Sequence, residues 1–276
     1  MEYTTLLHMA IRAALLAGDE ILAIYQSDFK VNFKSDATPV TQADQAASQR
    51  IIQELVPSNI PVLSEEGEHF PYSQREKWSQ IWIVDPLDGT KEFVKRNGEF
   101  TVNIALVENG KPIIGVIYSP VFRHLYYAMK NFGSFKVNGR DVNELMAGEN
   151  PDVASLMSAA IKLPSQQLPK VYTIVASRSH LSKEVSQRIK RAELSKGQCN
   201  VVNTGSSIKF CWLAEGLAHE YPRYGNTMEW DTAAGQCIVE QAGGKVIDQT
   251  SAAPIVYNRE VLTNNNFIAF AEDSLQ

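Results

Sequence analysis

The strongest constraint on the fold is a pair of apolar runs joined by Asn109 and Gly110, in the stretch FTVNIALVENGKPIIGVIYSP. Asn-Gly is the preferred pair for a type I′ turn, whose twist matches that of the two strands it joins. The sequence therefore predicts a β-hairpin over residues 100–120. Because HLYYAMK and GSFKVNGR also have strand character, the first half of the chain is expected to contain a mostly antiparallel sheet.

Helices are predicted on the N-terminal side of this sheet. Apolar residues recur at helical spacing from residue 3 to residue 26, which predicts an amphipathic helix. A second helix is predicted to begin after Thr41, a suitable N-cap, and to end at Pro57. PVLSEE and IWIVD follow, and each predicts a short apolar strand that ends in acidic residues.

The second half of the chain alternates between strands and helices, in VYTIVAS, SKEVSQRIKRAEL, CNVVN and SSIKFCWLAEG. This order is typical of an α/β arrangement. We therefore predict an N-terminal α+β lobe over residues 1–150 and a C-terminal α/β lobe over residues 151–276, with the seam within residues 147–167. The two lobes are expected to enclose a shared cleft.

Composition and charge argue against several classes of protein. A net charge of -5 argues against a nucleic-acid partner, since such proteins usually present a basic face. The N-terminal segment has no basic region before its apolar part and is interrupted by Arg12, Asp19 and Glu20, which argues against a signal peptide and a membrane span. The three cysteines show no CxxC spacing and favour reduced thiols in a cytoplasmic protein.

Acidic residues stand at the ends of predicted elements, at Glu65, Asp85, Asp88 and Asp231. Each alone fits an ordinary turn or the first turn of a helix, where the helix dipole favours a negative charge. Together, clustered carboxylates repel one another unless a cation neutralises them, and Mg²⁺ prefers such oxygen ligands. The carbonyl of Leu87 adds a further oxygen between two of them. The acidic set therefore predicts a magnesium site.

Gly89 and Thr90 follow directly, where the sequence predicts the start of a helix. Unpaired backbone N–H groups at a helix N-terminus suit a phosphate. Carboxylates for metal ions beside amides for phosphate indicate metal-assisted phosphoryl hydrolysis.

The motif DPLDGT, with Glu65 and Glu66 upstream and a WD…GG pattern downstream, resembles the inositol monophosphatase family of magnesium-dependent, lithium-sensitive phosphatases. The resemblance extends over nearly the whole chain and implies their layered αβαβα, sugar-phosphatase-like fold, of the α/β (α+β) class. TKEFVKRNGEFTVNIAL, ASRSH, GSSIKFCWLAEG and WDTAAG are similar to one branch, the CysQ-type 3′(2′),5′-bisphosphate nucleotidases. That branch implies hydrolysis of adenosine 3′,5′-bisphosphate to AMP in sulfate assimilation, and action on its 5′-phosphosulfate form.

The resemblance also implies the metal centre and the catalytic residues. Two or three magnesium ions would be held by Glu65, Asp85, the carbonyl of Leu87, Asp88 and Asp231, with most of these ligands in the first lobe. Asp44 and Thr90 would orient the attacking water, and Glu65 is implied as a third catalytic residue.

Nucleotide recognition is implied mainly for the second lobe. Ser206 and Lys209, three residues apart, are expected to share one face of a helix near its N-terminus. Arg223, at the end of a predicted strand, is expected to bind the 5′-phosphate with them. His180 is open between a substrate contact and an ordinary loop histidine. The full set of implied substrate contacts is Asp88, Gly89, Thr90, Ser177, His180, Ser206, Lys209, Arg223 and Asp231.

Two other functions remain open at this point. A phosphatase of the same family could act instead on inositol monophosphate, fructose 1,6-bisphosphate or NADP. A non-catalytic protein could use the pocket to sense nucleotide or metal, although the water-orienting pair of Asp44 and Thr90 argues against it. Glu66 is open between a supporting role and a solvated loop end. The sequence decides neither the oligomeric state nor the peripheral inner-membrane association known for some relatives.

Overall fold

Two β-sheets organise the chain in the computed structural model, which describes residues 1–27, 31–33, 39–68, 70–145, 152–178 and 182–272. A short antiparallel ribbon of β1 (Val31–Phe33) and β2 (Pro39–Thr41) precedes them. The larger sheet has seven strands, in the spatial order β3 (Val62–Ser64), β4 (Gln80–Asp88), β5 (Thr101–Glu108), β6 (Lys111–Ser119), β7 (His124–Met129), β8 (Gly133–Val137) and β9 (Ile161–Lys162). Its neighbouring strands are antiparallel except for the parallel pair of β3 and β4.

The smaller sheet mixes parallel and antiparallel pairs. In chain order its strands are β10 (Tyr172–Ser177), β11 (Cys199–Thr204), β12 (Glu220–Arg223), β13 (Lys245–Asp248) and β14 (Phe267–Phe270). Their spatial order is β11-β10-β12-β14-β13, with the first three parallel and the last three antiparallel.

Helices cover the sheets in layers. They are α1 (Tyr3–Tyr25), α2 (Gln42–Leu55), α3 (Tyr72–Arg75), α4 (Thr90–Val94), α5 (Gly139–Leu145), α6 (Val153–Ser158), α7 (Lys183–Lys196), α8 (Ile208–Glu215) and α9 (Glu229–Gln241). The helices α1 and α2 form one apolar core with the larger sheet. A second core joins α8 and α9 to both sheets, and α7 contacts the smaller sheet. This layering confirms the predicted fold class.

Three local predictions are confirmed. The first helix ends at Tyr25, one residue before the predicted end. The Thr41 hydroxyl accepts a hydrogen bond from the backbone N–H of Ala43 at 3.1 Å, so Thr41 caps α2 as expected. Asn109 and Gly110 have φ angles of 50° and 78°, and both values are positive as a type I′ turn requires.

The contact between α9 and the larger sheet depends on the absence of a side chain at Gly115 in β6. A Cβ at this position would lie 2.5 Å from the carbonyl oxygen of Ala234 and 2.8 Å from the Cβ of Cys237. Because no other residue fits that space, α9 lies directly on the strand backbone. The close packing fixes the helix whose first turn carries Asp231.

The division into two lobes at residue 150 stays a prediction. Residues 146–151 lie outside the described residues, so the structure does not trace the proposed boundary. Beyond it, β9 returns to the larger sheet and pairs with β8. The helix α9 contacts strands of both sheets, which ties the two halves into one packed unit.

Candidate active site

A cleft of about 290 Å³ is lined by the end of β4, α4, β12, the loop before α8 and the first turn of α9. The residues implied by the resemblance that line this cleft are Glu65, Asp85, Leu87, Asp88, Gly89, Thr90, Ser177, Ser206, Lys209, Arg223 and Asp231. Asp44 joins the set through a hydrogen bond to Thr90, whereas His180 lies outside the described residues. The fold thus brings together positions that are far apart in the chain.

A β-bulge at the end of β4 places two aspartates at the same site. In a regular strand, residues three positions apart point to opposite faces of the sheet. Here Asp85 pairs with Asn103 and Asp88 pairs with Thr101, so three steps on β4 match two steps on β5. The one extra residue in the bulge reverses the side of the sheet to which the following side chains of β4 point. Asp85 and Asp88 therefore both reach the cleft.

Asp231 completes a cluster of three carboxylates. It lies in the first turn of α9, where its Oδ2 accepts a hydrogen bond from the backbone N–H of Met228 at 2.7 Å. One carboxylate oxygen from each of Asp85, Asp88 and Asp231 lies within 4.8 Å of the others. Burial, followed by the charges of Glu65, Asp88 and Asp231, holds the pKa of Asp85 well above its usual range. Burial and the charge of Asp88 raise the pKa of Asp231 to about 7.

These residues fit a hard divalent cation. Their ligand atoms are all oxygens, and the carbonyl of Leu87 lines the cleft beside them. Burial and mutual repulsion together raise the pKa values of Asp85 and Asp231, and a divalent cation would neutralise that repulsion. Glu65 follows β3 and lines the same cleft, although it is not one of the three mutually close carboxylates.

Asp44 and Thr90 form a hydrogen-bonded pair between α2 and α4. The Thr90 hydroxyl donates to Asp44 Oδ1 at 3.1 Å, and its oxygen also lies 3.4 Å from the carbonyl oxygen of Leu87. Asp44 Oδ2 accepts from the backbone N–H and the hydroxyl of Thr41 at 2.7 and 2.8 Å. Burial raises the pKa of Asp44, and the two bonds from Thr41 oppose that rise. The pair is thus held at the start of two helices.

The loop before α8 departs from the sequence prediction. Ser206 does not share a helix face with Lys209, because it precedes the helix and has a φ angle of 52° in the left-handed region. Lys209 is buried, and its ammonium group donates to the carbonyl oxygens of Ser206 and Thr204. Its Nζ also lies 5.3 Å from the centre of the Tyr221 ring. Burial lowers the pKa of Lys209 to about 8, against the opposing charge of Asp88.

Arg223 presents a guanidinium group to the cleft from the end of β12. Its Nη2 donates to the carbonyl oxygen of Asn226 at 3.2 Å. Its Nε is buried, and no acceptor among the described residues reaches it. A guanidinium group with an unused donor suits an anionic ligand.

Sequence reasoning missed the polar residues behind the cleft. Thr101 and Asn103 are fully enclosed on β5, and Ser207 is buried at the N-cap of α8. One signal was available, because Thr101 and Asn103 stand two positions apart in the otherwise apolar run FTVNIAL and so share a face of the sheet.

A family model described as the inositol monophosphatase family matches residues 2–274 of this chain. The chain belongs to the inositol monophosphatase family. The family and the fold predicted from the sequence are therefore confirmed, whereas the roles assigned to individual site residues stay predictions.

Relatives found by sequence and relatives found by structure both support this placement in the family. The 3′(2′),5′-bisphosphate nucleotidase CysQ of Salmonella typhimurium is 39% identical over 266 residues, which cover 95% of this chain and 98% of the relative. The crystal structure of CysQ from Bacteroides thetaiotaomicron has 44% identity and a TM-score of 0.86, with 96% of each chain covered. The extragenic suppressor protein suhB of Bartonella henselae has 25% identity and a TM-score of 0.73, covering 98% of this chain and 95% of that one.

Proposed function

We propose that the protein is a magnesium-dependent phosphatase that removes the 3′-phosphate of adenosine 3′,5′-bisphosphate to give AMP, and that also accepts the 5′-phosphosulfate form. The observation that carries this proposal is one cleft lined by the carboxylate cluster and by Thr90, with Asp44 hydrogen-bonded to Thr90. The names of the CysQ relatives, which describe 3′(2′),5′-bisphosphate nucleotidases, support the substrate class.

The metal centre in this proposal holds two or three magnesium ions. Their ligands are Glu65, Asp85, the carbonyl of Leu87, Asp88 and Asp231, which all line the cleft. Bound magnesium supplies Lewis acidity at the phosphate and lowers the pKa of a coordinated water.

Asp44 and Thr90 orient the attacking water and take up its proton. The Thr90 hydroxyl donates its one proton toward Asp44, so its oxygen can accept a hydrogen bond from water. As the water oxygen forms its bond to phosphorus, its proton moves to Thr90 while the Thr90 proton moves to Asp44. The bond from phosphorus to the ribose 3′-oxygen breaks on the opposite side, and that oxygen takes a proton from solvent. No covalent intermediate with the protein is formed.

Arg223 is the residue that we assign to the 5′-phosphate. Its guanidinium group lines the cleft, and within the described residues its one hydrogen bond runs from Nη2 to the carbonyl oxygen of Asn226, so other N–H groups of the guanidinium can donate to a phosphate oxygen. A guanidinium group can bind phosphate through two parallel hydrogen bonds. Lys209 already donates to two carbonyl oxygens, and its main role in the proposal is to hold the loop that carries Ser206. Ser177, the amide of Gly89 and His180 complete the proposed contacts.

A substrate panel tests this function against its rivals. Phosphate release should be measured from adenosine 3′,5′-bisphosphate, inositol 1-phosphate, fructose 1,6-bisphosphate and NADP, with and without magnesium. We expect the nucleotide to be the best substrate and magnesium to be required. A preference for the inositol ester would overturn the proposed substrate but not the proposed magnesium-dependent hydrolysis. Tight nucleotide binding without turnover would instead indicate a sensor.

We further propose a cytoplasmic location and a small-molecule substrate rather than a nucleic acid. The cysteines at positions 199, 211 and 237 are all free thiols. Within the described part of the chain, no helix combines the length and apolar character needed to cross a bilayer. The net charge of -5 also disfavours binding to nucleic acid.

A further inference from the structure

We infer that Asn103 and Ser207 are positioning residues, which hold the Asp88 carboxylate in the orientation that a divalent cation requires. The inference rests on the proposed metal centre and concerns residues to which the sequence assigned no role. Ser207 Oγ donates to Asp88 Oδ2 at 2.7 Å, and Asn103 Nδ2 lies 3.4 Å from the same oxygen. No hydrogen bond from the described residues reaches Asp88 Oδ1, so this oxygen is left for a cation.

The orientation of the Asn103 side chain follows from its neighbours. Its Nδ2 donates to Ser207 Oγ at 2.8 Å, while its Oδ1 accepts from the Thr101 hydroxyl at 2.9 Å. Rotating the amide by half a turn would place Oδ1 beside the Asp88 carboxylate and remove the bond to Ser207. Because Asn103 and Thr101 are 1% and 0% exposed, water does not compete for these bonds. The amide therefore has a single favourable orientation.

Counting hydroxyl protons gives the chain of bonds a direction. Thr101 gives its one proton to Asn103, so the contact of 2.6 Å between Thr101 Oγ1 and Ser206 Oγ must be donated by Ser206. Ser207 directs its proton toward Asp88, with the carbonyl oxygen of Asp231 at 3.2 Å as a weaker second acceptor. The bonds thus run from Ser206 through Thr101, Asn103 and Ser207 to Asp88.

The arrangement opposes the repulsion inside the carboxylate cluster. Asp88 carries a charge within 4.8 Å of the nearest oxygens of Asp85 and Asp231, and without a fixed partner its side chain can rotate away from them. Cation binding is favoured when the ligands already stand in place, because no rotation has to be reversed. The chain of bonds supplies that fixed partner. It also links the loop proposed to contact nucleotide with a proposed metal ligand.

Magnesium affinity of the substrate-free protein tests the inference directly. Isothermal titration calorimetry should compare wild type, Ser207→Ala, Asn103→Ser and the matched control Ser134→Ala. Ser134 is also a buried serine, it lies on β8 outside the cleft, and its hydroxyl has no hydrogen-bond partner among the described residues. We expect the first two variants to lose roughly 10- to 100-fold in magnesium affinity, as is usual for outer partners of metal ligands. The control should bind magnesium as wild type does.

Further readouts separate positioning from a general loss of stability. The magnesium concentration that gives half-maximal phosphate release should rise by the same factor as the dissociation constant, and kcat should largely recover at saturating magnesium. Ser207→Thr keeps the hydroxyl and should restore affinity. The double variant should lose little more than either single variant, because both act through one chain of bonds.

Several outcomes would overturn the inference. Magnesium affinity in Ser207→Ala equal to that of Ser134→Ala would show that Ser207 does not position Asp88. Independent, additive losses in the double variant would show that no connected chain exists. If wild type binds magnesium but releases no phosphate from nucleotide, the proposed function fails while this comparison still decides the present inference.

Discussion

Asp88 combines three structural features, of which the sequence indicates only its place among the acidic residues. It lies at the end of the β4 bulge, belongs to the carboxylate cluster and accepts the hydrogen bond from Ser207. The motif DPLDGT and its family resemblance predict that Asp88 is a metal ligand, but they carry no information about Ser207, which is 119 residues away. A contact of that kind has no local signature, so sequence reasoning could not find it.

The first residue-scale prediction concerns Asp88→Asn. The substitution keeps the shape of the side chain and removes the negative charge that would bind the cation. We therefore expect kcat to fall by roughly 10²-fold or more, which exceeds the loss expected for a residue that only supports a metal ligand. The melting temperature in EDTA should be unchanged or slightly higher, because repulsion within the cluster is relieved. Phosphate release and thermal unfolding measure the two effects. Asp19→Asn, an exposed position on α1, is the control. Near-normal turnover would remove Asp88 from the metal site.

The second residue-scale prediction separates Arg223 from Lys209. Arg223→Ala should lower kcat/KM for adenosine 3′,5′-bisphosphate by roughly 10- to 150-fold, equivalent to about 1.5–3 kcal/mol for a charge-assisted contact. It should have little effect on 3′-AMP, which lacks the 5′-phosphate. Lys209→Ala should lower kcat/KM for both substrates to a similar degree, because the ammonium group holds the Ser206 loop. Steady-state kinetics with the two nucleotides measure the difference.

The exposed Arg140 on α5 provides an alanine control for loss of a positive charge. If Arg223→Ala lowers kcat/KM equally for both nucleotides, then Arg223 supports the metal centre or the fold and does not bind the 5′-phosphate.

At the scale of elements, the sequence was informative where the determinants are local. The helix α1, the capped start of α2 and the hairpin at Asn109 follow from periodicity, a hydrogen bond between near neighbours and turn preference. The backbone at Ser206 was predicted wrongly, because a left-handed residue before α8 is imposed by the surrounding contacts and not by its own preference. The β4 bulge likewise depends on pairing with β5.

The element-scale prediction is Gly110→Ala in the hairpin turn. Alanine disfavours the φ angle of 78°, and its Cβ would lie 2.8 Å from Val256 Cγ1, so stability should fall by more than about 1 kcal/mol. Gly110→Ala in a Val256→Ala background is the matched control, since the φ angle is the same there, the contact with Cγ1 is gone, and Val256 is exposed. Urea unfolding should show the larger loss for Gly110→Ala in the wild-type background, with magnesium affinity unchanged. Equal losses would show that the Val256 contact relaxes without cost.

At the scale of the whole molecule, the metal site couples to stability. Burial and neighbouring charge raise the folded-state pKa of Asp231 to about 7, above its value of 3.8 in the unfolded chain. The metal-free folded state therefore binds more protons than the unfolded state between these values, so its free energy of unfolding falls as pH rises from about 4 to 7. If the proposed magnesium site is correct, we expect magnesium to bind the deprotonated carboxylates and to reverse this loss.

The whole-molecule prediction is that magnesium raises the melting temperature more at pH 8 than at pH 5. At 100 times its dissociation constant, magnesium should add about 2.7 kcal/mol to the free energy of unfolding at pH 8. Thermal scans at both pH values, with magnesium or EDTA, measure the effect, and Asp231→Asn should reduce the difference. An equal shift at the two pH values would contradict the coupling.

The packing of α9 between the two sheets determines which parts of the candidate site can unfold locally. Its residues from Trp230 to Val239 are buried except for Asp231, and Gly115 lets it lie directly on β6. Opening the first turn of this helix therefore requires disruption of the core that joins the two sheets. Backbone amides early in α9 should exchange with deuterium only through global unfolding, whereas those of the five-residue helix α4 should exchange faster. We therefore expect mild denaturant to disturb Thr90, the proposed water-orienting residue, first, and to leave a protein that still binds magnesium but no longer releases phosphate.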